Sequence, residues 1–273
     1  TREEVRTKAM AIMGITIGVS FVIAMILGPI LAVHFGISGI FDLTALCAIL
    51  AIIIVYLKVP NPKKTVFHRD QQIDKRTLKS TLKNTQLLRL NLGIFCLHAI
   101  LTATFIVLPL ALTDQLHLSK MDQAWVYAPV LILSFLLMVP FVIMAETKHK
   151  MKQVFLGAIA LFGLSQLGFI FLGSHISAVV ISLIIFFTAF VLLEATLPSL
   201  VSKLAPISSK GTALGVYSSC QFFGAFAGGS VGGFLYGEHH ISGVYIFCLV
   251  LALIWFIFAL AMEKPAQVAT RMI

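Results

Sequence analysis

Two side chains in this sequence could handle a proton inside hydrocarbon, Glu194 and His98. A carboxylate in a membrane interior is costly and by default faces a cavity or a partner. Glu194 is the only acid well inside an apolar stretch, nine residues before Lys203, which places it ~13 Å in from a basic end. His98 lies nine residues after Arg89 on a stretch that runs the opposite way, at the same ~13 Å depth. Matched depth permits contact, and imidazole ordinarily titrates near neutral pH, so a His–Glu pair is a candidate for proton coupling. The competing reading makes Glu194 a structural carboxylate bonded to hydroxyls and His98 a histidine bonded to a neighbouring helix.

Other polar positions inside apolar stretches are candidates for touching a solute: Gln166, Tyr217, Gln221, Asn91 and Thr102, with Thr104 beside them. One amide or phenol per stretch is equally ordinary as interhelical bonding, and threonine often bonds its own helix backbone. The glycines at 224, 228, 229, 232 and 233 are flanked by Phe222, Phe223, Phe226 and Phe234. A phosphate cradle needs water and a cation, so these glycines read as close helix packing. Glu238-His239-His240 has a metal site's composition but is a short turn with one acid, and no metal is expected there. Cys47, Cys96, Cys220 and Cys248 lie in apolar stretches without a C-x-x-C pair and read as small packing residues. No Ser-His-Asp set, paired acids or cofactor fingerprint occurs, so neither enzyme chemistry nor a cofactor is expected.

The elements that must position these residues are eight apolar stretches, about 9–34, 37–58, 89–112, 123–145, 153–173, 176–201, 211–236 and 241–262. Each is long enough to cross ~30 Å of hydrocarbon. Hydrophobic residues make up 59% of the 273-residue chain, charged residues 11%, and the mean hydropathy is +1.00, which excludes a soluble domain. The formal charge of +9 would suggest nucleic acid in a soluble protein. Here the basic residues are dispersed along loops that face anionic headgroups, so the lipid bilayer is the expected partner and nucleic acid is not. Assigning connections alternately to the two sides puts 19 of the 20 Lys and Arg on one side and only Lys120 on the other. Basic loops stay cytoplasmic, so both termini are expected there. The N-terminal residues have no signal-peptide pattern and read as a cytoplasmic loop.

The connections are short except for residues 60–88, which carry seven Lys or Arg. Within them Leu78 and Leu82, with Lys75, Arg76, Lys79 and Lys83 around them, suggest an amphipathic helix on the membrane surface, a solvated basic linker being the alternative. A weak repeat relates Lys8–Ala32 to Lys210–Gly233: each is a basic entry followed by a glycine-spaced helix and a second span. If spans one and two correspond to spans seven and eight, the unit is six spans long.

These features together resemble the major facilitator superfamily, with its two six-span halves, long basic central loop and cytoplasmic termini. Gly28-Pro29 with Ala24 and Ala32 is similar to the fifth-span motif of proton-coupled antiporters, alanine replacing the flanking glycines. Glu146, Lys148 and Lys150 stand where the family repeats its acidic-basic loop motif. The run Glu194–Lys203 followed by Lys210–Ser218, with Cys96-Leu97-His98 and Lys150–Phe155, resembles the YajR-type bacterial inner-membrane transporters.

The resemblance implies an all-α membrane bundle holding spans five to twelve of twelve. It divides into residues 1–59 as the last two spans of the N-terminal half, 60–88 as the central loop, 89–264 as the C-terminal six-helix half and 265–273 as a short tail. Some relatives of this type carry a soluble C-terminal domain, whereas about ten residues follow the last span here. The family's arrangement puts Glu194 and His98 on helices that line the central cavity, with Ala24, Gly28, Pro29, Gly228 and Gly229 in packing or gating. The implied function is proton-coupled efflux or antiport of a small organic or drug-like solute by alternating access in the bacterial inner membrane. An aromatic and aliphatic lining suits such a solute better than a sugar or phosphate. The partners would be that solute, protons and the missing N-terminal spans, without which this chain is expected not to transport. The alternative is a non-transporting scaffold or an inactive transporter remnant.

Overall fold

The computed structural model describes residues 3–60, 75–148, 150–172, 175–206 and 209–263. Among these residues all regular structure is helical. The elements are α1 (Glu3–Lys58), α2 (Lys75–Lys83), α3 (Thr85–Asp114), α4 (Lys120–Thr147), α5 (Met151–Leu172), α6 (Ile176–Leu204) and α7 (Lys210–Leu260). Six of them are long and apolar enough to cross a membrane.

Two of these helices are far too long for one crossing, since the 51 residues of α7 would span ~77 Å if straight. Each is interrupted at one residue. In α1 it is Gly36, at φ 66°, a left-handed conformation that glycine adopts without a steric penalty. In α7 it is His240, at φ 55°, a rarer position for a residue with a Cβ. The neighbours of α7 prove that it doubles back. Before His240, Gly224, Gly228 and Gly232 lie against Phe95, Ala99 and Ala103 of α3, so the two helices run the same way. After it, Cys248 reaches the Ile100 carbonyl, Trp255 lies against Gly93, and Ala261 receives Arg89, so the direction is reversed. The long helix α7 therefore holds two spans, and both α1 and α7 are interrupted where the sequence places turns without Lys or Arg.

The chain forms two compact units, residues 1–68 with 118–129, and residues 69–117 with 130–273. In the first, the second half of α1 leaves large apolar side chains exposed, Ile52 (69%) and Tyr56 (86%) among them, as a helix that meets lipid does. At Gly28 no atom lies within 4 Å of the point a Cβ would occupy, and Ala24 is exposed. Cys47 is also exposed, which departs from the packing role read for it; Cys96 and Cys248 are buried as that role requires, and Cys220 is half-buried.

The second unit is organised around α3. Asn84 caps this helix by accepting from the Gln86 and Leu87 amides at 3.0 and 3.2 Å. Its core side chains, from Leu87 to Leu112, are closed over by α6 and both arms of α7. Trp255 in the second arm is 1% exposed and packs edge-on against Phe155 of α5, the ring centroids 6.2 Å apart. At the basic end Arg89 donates to the Ala261 carbonyl at 2.6 Å and Lys152 to the Leu260 carbonyl at 2.9 Å. Both place a cation at the C-terminus of the last span, where free carbonyls and the helix dipole favour one.

The short helix read from Leu78 and Leu82 is present as α2 and packs against α3 and α7. Lys79 and Lys83 face outward, and Leu82 remains half-exposed beside them at 46%. Residues 61–74 of the basic connection and 264–273 of the tail lie outside the described residues.

Candidate proton-responsive site

The glycine face of α7 sets the geometry of the site. Helices approach this closely only where no Cβ intervenes: one built on Gly224 would stand 2.8 Å from the Phe95 Cα, and one on Gly228 2.6 Å from the Ala99 Cα. Gln221 lies one turn before Gly224, so the close approach brings its amide within reach of the facing turn of α3. There it donates to His98 Nε2 at 2.8 Å. The same amide nitrogen donates to Glu194 Oε1 of α6 at 3.4 Å. His98 Nε2 and Glu194 Oε2 are 3.8 Å apart. Three spans far apart in sequence thus meet through one carboxylate, one imidazole and one amide.

The bonding pattern fixes the histidine tautomer. Nε2 accepts from Gln221, so the ring proton sits on Nδ1, which donates to the Ile94 carbonyl at 3.3 Å. Phe190, one turn before Glu194, meets the imidazole edge-on with centroids 6.0 Å apart. The side chains of His98 and Glu194 retain 14% and 32% exposure, so the site is lined by protein on most sides but not sealed.

In the sequence Gln221 reads as either a solute contact or an ordinary interhelical bond. The structure makes it the link between the two ionisable groups, which no spacing in the sequence indicates. Tyr217 lies a further turn back, 5% exposed, its hydroxyl buried without a hydrogen-bond partner. Asn91 is seven residues before His98 and therefore on the same face of α3; it is 4% exposed and neither amide atom is bonded. Gln166 is wholly enclosed in α5 with its amide also unbonded, and no hydrogen bond joins it to the cluster. Thr102 bonds the His98 carbonyl of its own helix at 2.8 Å, and Thr104 donates to Cys248 Sγ at 3.7 Å.

Of the glycines read as packing positions, Gly224, Gly228 and Gly232 are tight, and Gly229 has ordinary contact with Thr102 at 3.5 Å. Gly233 has nothing within 4 Å and departs from that reading. In the loop motif, Glu146 lies in the last turn of α4, and Lys148 and Lys150 are exposed beyond it.

The Major Facilitator Superfamily family model matches residues 1–228 and again 90–271. The chain is 39% identical over 270 residues to the inner membrane transport protein YajR of Escherichia coli (strain K12), covering 99% of this chain and 59% of that protein. It is 30% identical over 256 residues to an uncharacterised transporter of Buchnera aphidicola subsp. Baizongia pistaciae, covering 92% and 64%. A transporter of Buchnera aphidicola subsp. Acyrthosiphon pisum, also uncharacterised, is 32% identical over 232 residues, covering 83% and 58%. The chain thus spans about three-fifths of the length of these curated relatives. A multi-pass apolar bundle with this family match and these relatives is a member of the major facilitator superfamily, similar to the inner-membrane transporter YajR.

Proposed function

We propose that this chain is the larger part of a proton-coupled secondary transporter that exports or exchanges a small organic, drug-like solute by alternating access. The observation that carries the reading is the Gln221 amide held between His98 and Glu194, at 2.8 and 3.4 Å.

One proton changes what this arrangement can bond. Neutral His98 accepts from Gln221 at Nε2. A proton on Nε2 turns that acceptor into a donor, so the Gln221 N–H loses its partner and the imidazolium faces Glu194 Oε2, 3.8 Å away. The proton therefore loosens the tie between the first arm of α7 and α3 and strengthens the one between α3 and α6. Coupling requires that a proton bind the two cavity states with different affinity, and a bond that changes partner helix supplies such a difference. Tyr217 and Asn91, with polar atoms unbonded on the same side of the site, are the proposed solute contacts, and Gly28-Pro29 with Ala24, together with Gly228 and Gly229, the proposed packing and gating positions.

Solute flux in sealed vesicles under an imposed pH gradient tests the reading, in a full-length transporter containing this segment. Gln221→Leu is expected to slow gradient-driven flux about tenfold, within the usual range of coupling energies, while solute exchange without a gradient continues. Flux indifferent to the gradient in the unmodified protein would refute proton coupling, and no solute flux at all would leave the scaffold reading standing.

The proposed orientation places both termini on the cytoplasmic side of a bacterial inner membrane, from the 19-to-1 division of basic residues. Single cysteines at positions 70 and 240 of a cysteine-free version should label from opposite sides. Labelling of both from the periplasm would refute the assignment.

A further inference from the structure

The second unit carries a groove that the His98 cluster does not touch. It lies between the end of α4, the first half of α5 and the middle of α6, with a volume of about 310 Å³. Phe141, Gly157, Leu161 and Leu192 are among its apolar lining, and Lys150 and Gln153 stand at one end. Gly157 keeps it wide, since no atom lies within 4 Å of where its Cβ would project. From Lys150 to Leu161 the wall follows ~16 Å of helix.

The two ends of the groove differ in chemistry. The Lys150 end coincides with the start of α5, whose first intrahelical bond runs from the Val154 amide to the Lys150 carbonyl at 2.9 Å. The amides of Met151, Lys152 and Gln153 therefore have no acceptor within the helix, and they carry the positive end of its dipole. With the exposed Lys150 ammonium beside them they form an anion-attracting mouth. Beyond it the wall is apolar except for Thr188, which is 7% exposed and whose hydroxyl has no partner. The carbonyl one turn earlier, at Ile184, receives Ser134 of α4 instead, at 3.3 Å. The lining thus offers a positive mouth, a long apolar body and one hydroxyl at depth.

That sequence of chemistries complements an anionic amphiphile. The bilayer supplies one directly, because α4 and α5 also carry exposed Val139, Ile143 and Leu164, the kind of surface that meets lipid. We propose that this groove holds an acyl chain of an anionic phospholipid, with its phosphate at the Lys150 end and its chain along Gly157 and Leu161. Charge complementarity at the mouth selects the headgroup, and the absence of a side chain at Gly157 admits the chain. The site is separate from the proton-responsive cluster and does not depend on that reading.

Native mass spectrometry of the purified, delipidated protein, offered equal phosphatidylglycerol and phosphatidylcholine, tests the proposal. Phosphatidylglycerol should be retained as one bound molecule about fivefold in excess, the order expected from one lysine near an anionic headgroup. Lys150→Gln should bring the two lipids to parity. Gly157→Phe should exclude both while thermal unfolding stays unchanged. If that variant does not fold, Gly157→Leu and Lys150→Gln decide in its place. Equal retention of both lipids by the unmodified protein, or undiminished phosphatidylglycerol on Gly157→Phe, would overturn the assignment. A third arm offers sodium oleate: oleate retained in place of phosphatidylglycerol would make the occupant a free amphiphile and sink the phospholipid claim.

Discussion

Glu194→Gln should sharply lower pH-driven flux in a transporter containing this segment while leaving energy-independent exchange close to normal. The substitution keeps the shape of the side chain and its capacity to accept from Gln221 at what is now Oε1, 3.4 Å away. It removes the charge that faces His98 at 3.8 Å, and with it the partner that a protonated imidazole would gain. The loss should be on the order of 10- to 100-fold, the span of ordinary coupling energies. His98→Gln should lower pH-driven flux at least as far, because an amide there can still hydrogen-bond Gln221 but no longer takes up the proton that changes the bonding. The pair of results separates roles. A carboxylate that served only to pin α6 against its neighbours would, once neutralised, lower stability and exchange together. An unchanged rate and pH profile for Glu194→Gln would make the carboxylate structural and put the coupling site elsewhere.

The matched depth of His98 and Glu194 was legible because it needs only helical rise and the positions of Arg89 and Lys203. Gln221 was not legible as their bridge, because its reach depends on how closely α7 approaches α3, a property of packing rather than of spacing. The turn at Gly36 and the one at His240 were marked by connections without Lys or Arg. What the pattern did not reveal is that helical backbone continues almost unbroken into each turn, interrupted by one residue of positive φ, which in α7 reverses the chain. The groove below Lys150 was invisible for a related reason: Gly157 reads as one more glycine in a span, and only three helices in place make it a gap.

The same limit applies within the glycine series of α7, where composition treats all members alike and packing does not. A Cβ on Gly228 would run into the Ala99 backbone, whose Cα would be 2.6 Å away, and backbone in a helix cannot swing aside. A Cβ on Gly233, five residues later, would meet nothing within 4 Å. Gly228→Ala must therefore push the first arm of α7 off α3. That displacement costs on the order of 2 kcal/mol, as overpacking of a close contact generally does. It also carries Gln221, less than two turns away on the same helix, away from His98 at 2.8 Å and from Glu194, whose bond is already long at 3.4 Å. Gly228→Ala should consequently lower both thermal stability and pH-driven flux. Gly233→Ala should change stability by no more than ~0.5 kcal/mol, as surface substitutions usually do. Thermal unfolding of the two purified variants, read beside their flux in vesicles, decides the matter. Equal destabilisation by both would mean that the contact with α3 does not distinguish the two positions, since helix propensity alone favours alanine at each. Loss of stability at Gly228 with flux and pH dependence intact would break the link from close packing through Gln221 to the proton.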